Sequence, residues 1–133
     1  MTNDIEADRL GGPRCSPVDV ADVGGAAYDF RMRRQIRHTQ LDTTFVVDGR
    51  DQDGRAWVRL DPGSEKAGVA LWMDDQFPYY MLFTGDSLAE SRRRRSLGVE
   101  PMTCAPNAFN SGKGLAVLAP GGAMTSSWGI API

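Results

Sequence analysis

Residues 41–47, LDTTFVV, decide the class of fold that this sequence predicts. Apolar or β-branched residues recur there at every second position, which is the pattern of a half-buried β-strand. Successive side chains of a strand point to opposite faces of its sheet. We therefore expect Leu41 and Phe45 to face a core and Asp42 to face the other way.

Outward from this stretch, short apolar runs alternate with turn residues in both directions. The predicted strands are residues 55–60, 68–73, 79–84, 96–100, 115–118 and 124–130. Residues 48–54, with Asp51, Asp53 and Gly54, have the turn chemistry of a hairpin. No convincing amphipathic helix is present, although Pro106 could open one helical turn. Short strands separated by turns predict an all-β protein, an antiparallel β-sandwich.

The first 23 residues differ from the rest of the chain. They are polar and contain Gly11, Gly12, Pro13 and Pro17, so we interpret residues 1–23 as a flexible lead-in and residues 24–133 as the folded portion. In the segment that follows, YDFR and the arginines after it, the spacing predicts an extended edge segment. Phe30 would be its buried anchor and the arginines would remain solvated.

Charge and composition exclude several classes of function. Fifteen basic and 17 acidic residues give a net charge of −2, which disfavours nucleic acid and anionic lipid as partners. The arginine run 92–95 is interpreted as a solvated loop. The DxDG at residues 51–54 lacks the later glutamate of a calcium loop, so no metal is predicted. Two distant cysteines, no signal peptide and no long apolar run predict a cytoplasmic protein that does not cross a membrane.

Residues 99–121, VEPMTCAPNAFNSGKGLAVLAPG, resemble a segment near the C-terminus of the aldose 1-epimerase (galactose mutarotase-like) family. The resemblance extends to YDFR at 28–31, LDTTF at 41–45, LWMDDQFPYYMLFTGD at 71–86 and SSWGI at 126–130, and so covers about residues 17–130. It implies part of the large galactose mutarotase-like supersandwich, because family members are much longer. What is present resembles their C-terminal portion.

The resemblance also implies an activity. Enzymes of the family interconvert the α and β anomers of free aldoses such as glucose and galactose, and they need no cofactor because acid and base groups open the sugar ring. Glu100 matches the family's glutamate base, and Asp42 matches the aspartate that binds sugar hydroxyls. Val99, Pro101 and Met102 around Glu100 predict partial desolvation, which would raise the pKa of its carboxyl toward the working range. The alternative is a strand-end glutamate paired with an arginine of the 92–95 run.

Three further residues are candidates for substrate binding. Trp72 and Phe83 could stack on a sugar, although aromatic residues in strands more often pack in a core. Asn107 could orient hydroxyls, although an asparagine in such a loop is more often a turn former. The resemblance also suggests that Asp29 and Arg31 form a positioning ion pair.

The family's general-acid histidine and its second, sugar-binding histidine have no counterpart in this sequence. The single histidine, His38, matches neither, and a surface histidine is the plainer interpretation. Three hypotheses follow. The chain is an epimerase impaired on its own, a non-catalytic carbohydrate-binding module, or a half-enzyme that needs a complementing N-terminal half. Strand edges that such a half would cover could also mediate self-association.

Overall fold

The computed structural model of this protein describes residues 4–7, 10–14, 24–63 and 67–133. Within these ranges the strands are, in chain order, β1 (Asp4–Ala7), β2 (Leu10–Arg14), β3 (Arg34–Gln35), β4 (Asp42–Val47), β5 (Ala56–Asp61), β6 (Val69–Met73), β7 (Tyr79–Phe83), β8 (Gly98–Met102) and β9 (Trp128–Pro132). One short helix, α1 (Ala108–Ser111), follows β8.

The strands form two antiparallel sheets that share one core. One sheet has the order β3-β1-β5-β6-β9 and the other the order β2-β4-β7-β8. Phe45, Tyr80 and Leu82 of the second sheet belong to the same buried cluster as Val58 and Met73 of the first. The predicted antiparallel all-β sandwich is therefore confirmed. No helix in the described ranges is long and apolar enough to cross a bilayer.

Strand β4, the strand that the sequence pattern predicts at residues 41–47, is an internal strand of the four-stranded sheet. It pairs with β2 on one side and with β7 on the other. Phe45 is buried and stacks on Tyr80, with ring centroids 5.1 Å apart. Asp42 is exposed, whereas its neighbours Leu41 and Thr43 are buried. The alternation therefore directs Asp42 away from the core.

The predicted hairpin at residues 48–54 is wrong, because β4 and β5 lie in different sheets. The connection crosses the layer between the sheets, and turn residues indicate a reversal without indicating the partner strand. Arg50 fixes this crossing. Its guanidinium donates hydrogen bonds to the carbonyl oxygens of Asp74 and Phe77, both at 2.8 Å.

Two strands occur in the segment for which the sequence predicted little structure. Strand β1 pairs with β3 and β5, and β2 pairs with β4 through a register shift between Gly11 and Pro13. Glycine and proline break the two-residue period there, yet both are tolerated at a bulge on an edge strand. The rest of the lead-in, residues 1–3, 8–9 and 15–23, lies outside the described residues, and the boundary at residue 23 remains a prediction.

The C-terminal segment departs from prediction at residues 115–118, which form no strand. Val117 and Leu118 are 83% and 55% exposed, and neither sheet places a strand beside them. Strand β9 is present but exposes apolar side chains. Trp128 and Ile130 pair with the buried Met73 and Leu71 and so lie on the core-facing side of their sheet, yet they are 55% and 63% exposed.

Candidate active site

The outward face of the four-stranded sheet brings two of the sequence-predicted site residues together. Asp42 on β4 pairs with Phe83 on β7, and Glu100 on β8 pairs with Met81, two residues earlier on β7. Residues paired across strands, or two apart along one strand, share a face. Asp42, Met81, Phe83 and Glu100 therefore lie on one surface, which we call the carboxylate face.

The separation of the two carboxylates follows from sheet geometry. Two strand spacings of about 4.8 Å and two residues of about 3.4 Å place their Cα atoms about 12 Å apart. Between them lie Met81 and Phe83, and the Thr44 hydroxyl reaches the sulfur of Met102 at 4.0 Å across the same face. The carboxylates thus flank a surface that is partly apolar.

Glu100 is exposed, so the predicted desolvation of its side chain is wrong. Val99 and Pro101 precede and follow it in the strand and therefore project from the opposite face. The alternative pairing is not observed either. Among the described residues, Glu100 forms no ion pair with the arginines of the 92–95 run. It is a solvated carboxylate on a strand.

A groove of about 500 Å³ begins at Asp42. Its other lining residues come from the residues before and at the start of β4 and from the end of β7 and the segment after it, and they include Gln40, Phe83, Asp86 and Ser87. We call it the Asp42 groove. Phe83 thus lines the groove that holds Asp42, and its stacking on a sugar remains a prediction.

A buried hydroxyl joins the two segments that form this groove. Thr84 is 4% exposed, and its hydroxyl oxygen accepts a 2.9 Å hydrogen bond from the Leu41 N–H. The same hydroxyl donates to the Asp86 carboxylate. This pair of contacts fixes the beginning of β4, and with it Asp42, against the end of β7.

Asp86 is itself held by Arg94, with a 2.9 Å contact between Oδ1 and Nη1. The hydrogen bond from Thr84, and then the Arg94 guanidinium, lower the pKa of the Asp86 carboxyl. Arg94 also donates to the carbonyl oxygens of Thr39 at 3.1 Å and Arg37 at 2.5 Å. One guanidinium therefore ties the loop after β7 to the loop before β4.

His38 lines a second groove, also of about 500 Å³, on the other side of this ion pair. Three arginines line it as well, Arg37, Arg94 and Arg95, and we call it the arginine groove. The His38 side chain is exposed, in keeping with the surface interpretation of the sequence. It does not line the groove that contains Asp42.

Trp72 lies elsewhere. It is on β6 of the five-stranded sheet, between the buried Leu71 and Met73, so it projects from the outer face of that sheet. The Arg55 guanidinium lies 4.4 Å from its ring centroid. The structure does not bring Trp72 to the carboxylate face, and its role in sugar binding remains an untested prediction.

Asn107 lies just after β8, outside the groove that holds Asp42. It precedes α1 with a left-handed backbone, φ 61°, and its side-chain oxygen accepts a hydrogen bond from the Asn110 amide. This geometry is typical of the turn former that the sequence left open, and its contact with substrate stays a prediction.

The predicted ion pair of the YDFR segment is confirmed. Arg31 contacts Asp29 with both Nε and Nη2 at 2.9 Å, and these bonds hold the pKa of the Asp29 carboxyl well below its usual range. Phe30 between them is 3% exposed and belongs to the core. The pair therefore positions the segment that leads to β3.

No group of three or more metal-ligating side chains occurs among the residues whose placement is described. At the DxDG turn, the Asp51 carboxylate accepts hydrogen bonds from Trp57 Nε1 at 2.7 Å and from the Arg55 N–H at 2.8 Å. The hydrogen bond from Trp57, and then the one from Arg55, lower the pKa of the Asp51 carboxyl. The Asp51 carboxylate therefore binds groups of its own turn and of the strand that follows.

Comparison with known proteins identifies the family of this chain. The family described as aldose 1-epimerase matches residues 13–130. This span contains β4, β7 and β8 completely and the last two residues of β2. The chain belongs to the aldose 1-epimerase family. Among curated proteins it is 29% identical over 106 residues to the uncharacterized protein YihR of Escherichia coli (strain K12). That match covers 80% of this chain and 31% of YihR, so the chain spans about a third of this relative. No solved structure matches significantly.

The structure adds three residues that the sequence did not assign to the candidate site. Thr84, Asp86 and Arg94 hold the segments from which Asp42 and Phe83 project. Thr84 and Asp86 belong to a TGD turn after an apolar run, which is common to many turns. Arg94 belongs to the run 92–95 that the sequence interpreted as a solvated loop, and its contacts with Asp86 and Arg37 were not predicted.

Proposed function

We propose that this member of the aldose 1-epimerase family provides the base-bearing part of an anomer-interconverting site, acting on free aldohexoses. The observation that supports this most directly is the common face of Asp42 and Glu100. A sugar whose hydroxyls bind Asp42 extends across Met81 and Phe83 toward Glu100. An exposed carboxylate at that distance can meet the hydroxyl at the anomeric carbon.

The proposed reaction needs two proton transfers. Glu100 takes the proton of the anomeric hydroxyl while the bond between C1 and the ring oxygen breaks, and an acid protonates the ring oxygen. The open aldehyde turns about the C1–C2 bond, and closure by the reverse transfers gives the other anomer. A positioned base contributes roughly 10²- to 10⁴-fold to such a rate. No metal or redox cofactor is part of this proposal.

Among its described residues, the carboxylate face offers no histidine or other evident general acid to protonate the ring oxygen. Water could protonate the ring oxygen slowly, which would make the chain a weak epimerase on its own. The alternative is that the rest of the family's sandwich supplies a histidine. The exposure of Trp128 and Ile130 favours the half-enzyme. Both side chains lie on the core-facing side of their sheet, but no strand of the described residues packs over them. A complementing segment of the same fold would bury them.

Polarimetry tests the catalytic proposal. Freshly dissolved α-D-glucose and α-D-galactose are followed to anomeric equilibrium with the chain, with Glu100→Gln and with Glu90→Gln. Glu90 is an exposed glutamate in the loop between β7 and β8 and serves as the matched control. We expect a rate above spontaneous mutarotation that is lost in Glu100→Gln and retained in Glu90→Gln. Equal loss in both variants would contradict the role of Glu100.

A second measurement separates the half-enzyme and the binding module. The N-terminal two thirds of a full-length family member are added to the chain and to Trp128→Phe, and the polarimetric rate and the tryptophan fluorescence are recorded. A rate that appears only in the mixture, with a change in emission that is absent in Trp128→Phe, supports the half-enzyme. Glucose binding without turnover in both samples identifies a carbohydrate-binding module and refutes catalysis.

A further inference from the structure

Strand β9 is the least protected of the sheet edges that the structure describes. The two sheets end in four strands, β3 and β9 in one and β2 and β8 in the other. Proteins keep such edges from pairing with other chains mainly through charged side chains and prolines. Strands β2, β3 and β8 each contain a charged residue, namely Arg14, Arg34 and Glu100. Residues 114–133, which include β9, contain no charged side chain, and the single proline of β9, Pro132, is its last residue.

The hydrogen-bonding groups of this free edge belong to Trp128 and Ile130. Just beyond the strand, the N–H groups of Gly68 and Ile133 each donate to the other residue's carbonyl oxygen, at 2.8 and 3.1 Å. In an antiparallel ladder such pairs alternate with pairs whose N–H and C=O groups point away from the partner strand. Counted back from Ile133, the N–H and C=O groups of Trp128 and Ile130 therefore point away from β6.

The side chains of the same two residues are uncovered. Trp128 and Ile130 lie on the core-facing side of the sheet, and each is more than half exposed. Next to β3, at the opposite edge of this sheet, Phe30 and Ile36 are buried in the core. The sandwich is thus closed beside β3 and open beside β9, where backbone donors and apolar side chains are exposed together.

A second copy of β9 fits this edge in the antiparallel orientation. When a two-fold axis passes through Gly129, Trp128 of one copy lies opposite Ile130 of the other. Each outward N–H of the strand then has a carbonyl acceptor, since Pro132 has no N–H to satisfy. The four apolar side chains meet on the core-facing side. An uncharged strand can pair with itself in this way without placing like charges opposite each other.

The other face of β9 permits the close approach that this register requires. Gly129 would lie opposite its own copy in a pair without hydrogen bonds, where Cα atoms are only about 4.5 Å apart. Its missing side chain leaves that space to Trp72, because a Cβ at Gly129 would lie 2.7 Å from Trp72 Nε1. The indoles of the two copies would therefore flank the axis on the outer face.

We propose that β9 joins a second copy of this chain by antiparallel edge pairing, with Gly129 at the two-fold axis and Trp128 opposite Ile130. The same surface of both copies forms the contact, and the five-stranded sheet continues across the dimer. This inference goes beyond the proposed function, and mutarotation is not its readout. A complementing half that took the same edge would replace the second copy.

Sedimentation equilibrium over a wide range of concentrations tests the dimer. Ile130→Pro removes an outward N–H but no bond to β6, and Ile130→Lys places a charge on the edge. Each should raise the dissociation constant at least about tenfold, the size of two lost hydrogen bonds. Val117→Lys, at an exposed position outside β9, should retain the dimer. A monomeric wild-type chain, a dimer that tolerates both Ile130 variants, or an equal loss in Val117→Lys would overturn the proposal.

Cross-linking tests the register. In a Cys15→Ser/Cys104→Ser background, Trp128→Cys and Ile130→Cys are purified separately and mixed with oxidised glutathione. Opposite residues have Cα atoms about 5.5 Å apart, within the range of a disulfide, whereas like residues lie about 7–8 Å apart. We expect a disulfide between the two variants and little within either. Equal cross-linking of each variant with itself would refute this pairing. A chain that is monomeric alone but binds the N-terminal two thirds of a family member through β9 would assign the edge to the half-enzyme and refute the dimer.

Discussion

Asp42 and Glu100 lie on the same face of one sheet, two strands apart and two residues out of register, with β7 between them. This diagonal relationship depends on the pairing of β7 with both neighbours. A slip of one residue in either pairing would move one of the carboxylates to the core face. The contacts that fix the register of β4 and β7 are therefore contacts on which the site depends.

Thr84→Val tests the contact that joins these strands. The variant keeps the shape of the side chain but leaves the Leu41 N–H without its buried acceptor. We expect a loss of about 1–3 kcal/mol in the free energy of unfolding, the cost of an unsatisfied buried donor. Urea denaturation measures it. Thr125→Val, at an exposed position, should change the free energy of unfolding by less than about 0.5 kcal/mol.

The lowered pKa of Asp86 predicts a dependence of stability on pH. Its folded pKa lies below the unfolded value, so the folded protein binds fewer protons. The contribution is complete well above the ordinary aspartate pKa of about 3.9 and is lost as the pH falls through the folded value. In Asp86→Asn the stability should decline less steeply on acidification below about pH 4. Chemical denaturation across pH 2 to 7 gives the slopes, and Asp53→Asn, at an exposed turn residue, should retain the wild-type slope.

Arg50→Lys tests the connection between the two sheets. The guanidinium reaches the carbonyl oxygens of Asp74 and Phe77 at once, and an ammonium group cannot reproduce that geometry. We expect a loss of about 1–2 kcal/mol in unfolding free energy, for one or two lost hydrogen bonds. Arg92→Lys at an exposed site is the control. An equal effect in both would show that the loss is not specific to the contacts of Arg50.

Phe83 and Trp72 lie on opposite outer faces of the sandwich, so they cannot contact one bound sugar. Phe83 lines the Asp42 groove, and Phe83→Ala should weaken sugar binding about tenfold, the order expected for a lost stacking contact. Trp72→Ala should leave it unchanged. Titration followed by NMR distinguishes them, and a loss in Trp72→Ala alone would locate the sugar on the other sheet.

Gly129→Ala tests the packing of the last strand on Trp72. An added Cβ would lie 2.7 Å from Trp72 Nε1 and 2.9 Å from Cε2, which requires the ring or the strand to move. We expect a loss of about 1–3 kcal/mol in the free energy of unfolding. In a Trp72→Ala background the same change should cost much less, because the ring is gone. Additive effects would contradict the contact.

The sequence predicted those parts of the fold in which a local pattern determines the outcome. The two-residue period of residues 41–47 identified β4 and directed Asp42 outward. The same reasoning failed at residues 115–118, where an apolar run has no neighbouring strand to pair with. It also failed at residues 48–54, because a turn does not specify the sheet to which the next strand belongs. Strand β2 was missed because its glycines and proline are tolerated only in the context of its bulged edge pairing.

For the candidate site, resemblance supplied Asp42 and Glu100, and the structure supplied their surroundings. Local sequence suggested a desolvated Glu100, but Val99 and Pro101 face the other way and the Glu100 side chain is exposed. The contacts of Thr84 with Leu41 and of Arg94 with Arg37 join residues 43 and 57 positions apart. Such contacts depend on the register of whole strands and cannot be read from one segment.

The pairing of β6 with β9 has a consequence for how the chain is made. Val69 pairs with Pro132, so more than sixty residues separate strands that are hydrogen-bonded neighbours. During synthesis at about 5–20 residues per second, the free edge of β6 emerges from the ribosome several seconds before its partner. An unpaired edge is open to other nascent chains during that interval. The yield of correctly folded protein should therefore depend on translation speed and chaperone supply more than on the final stability of the sandwich.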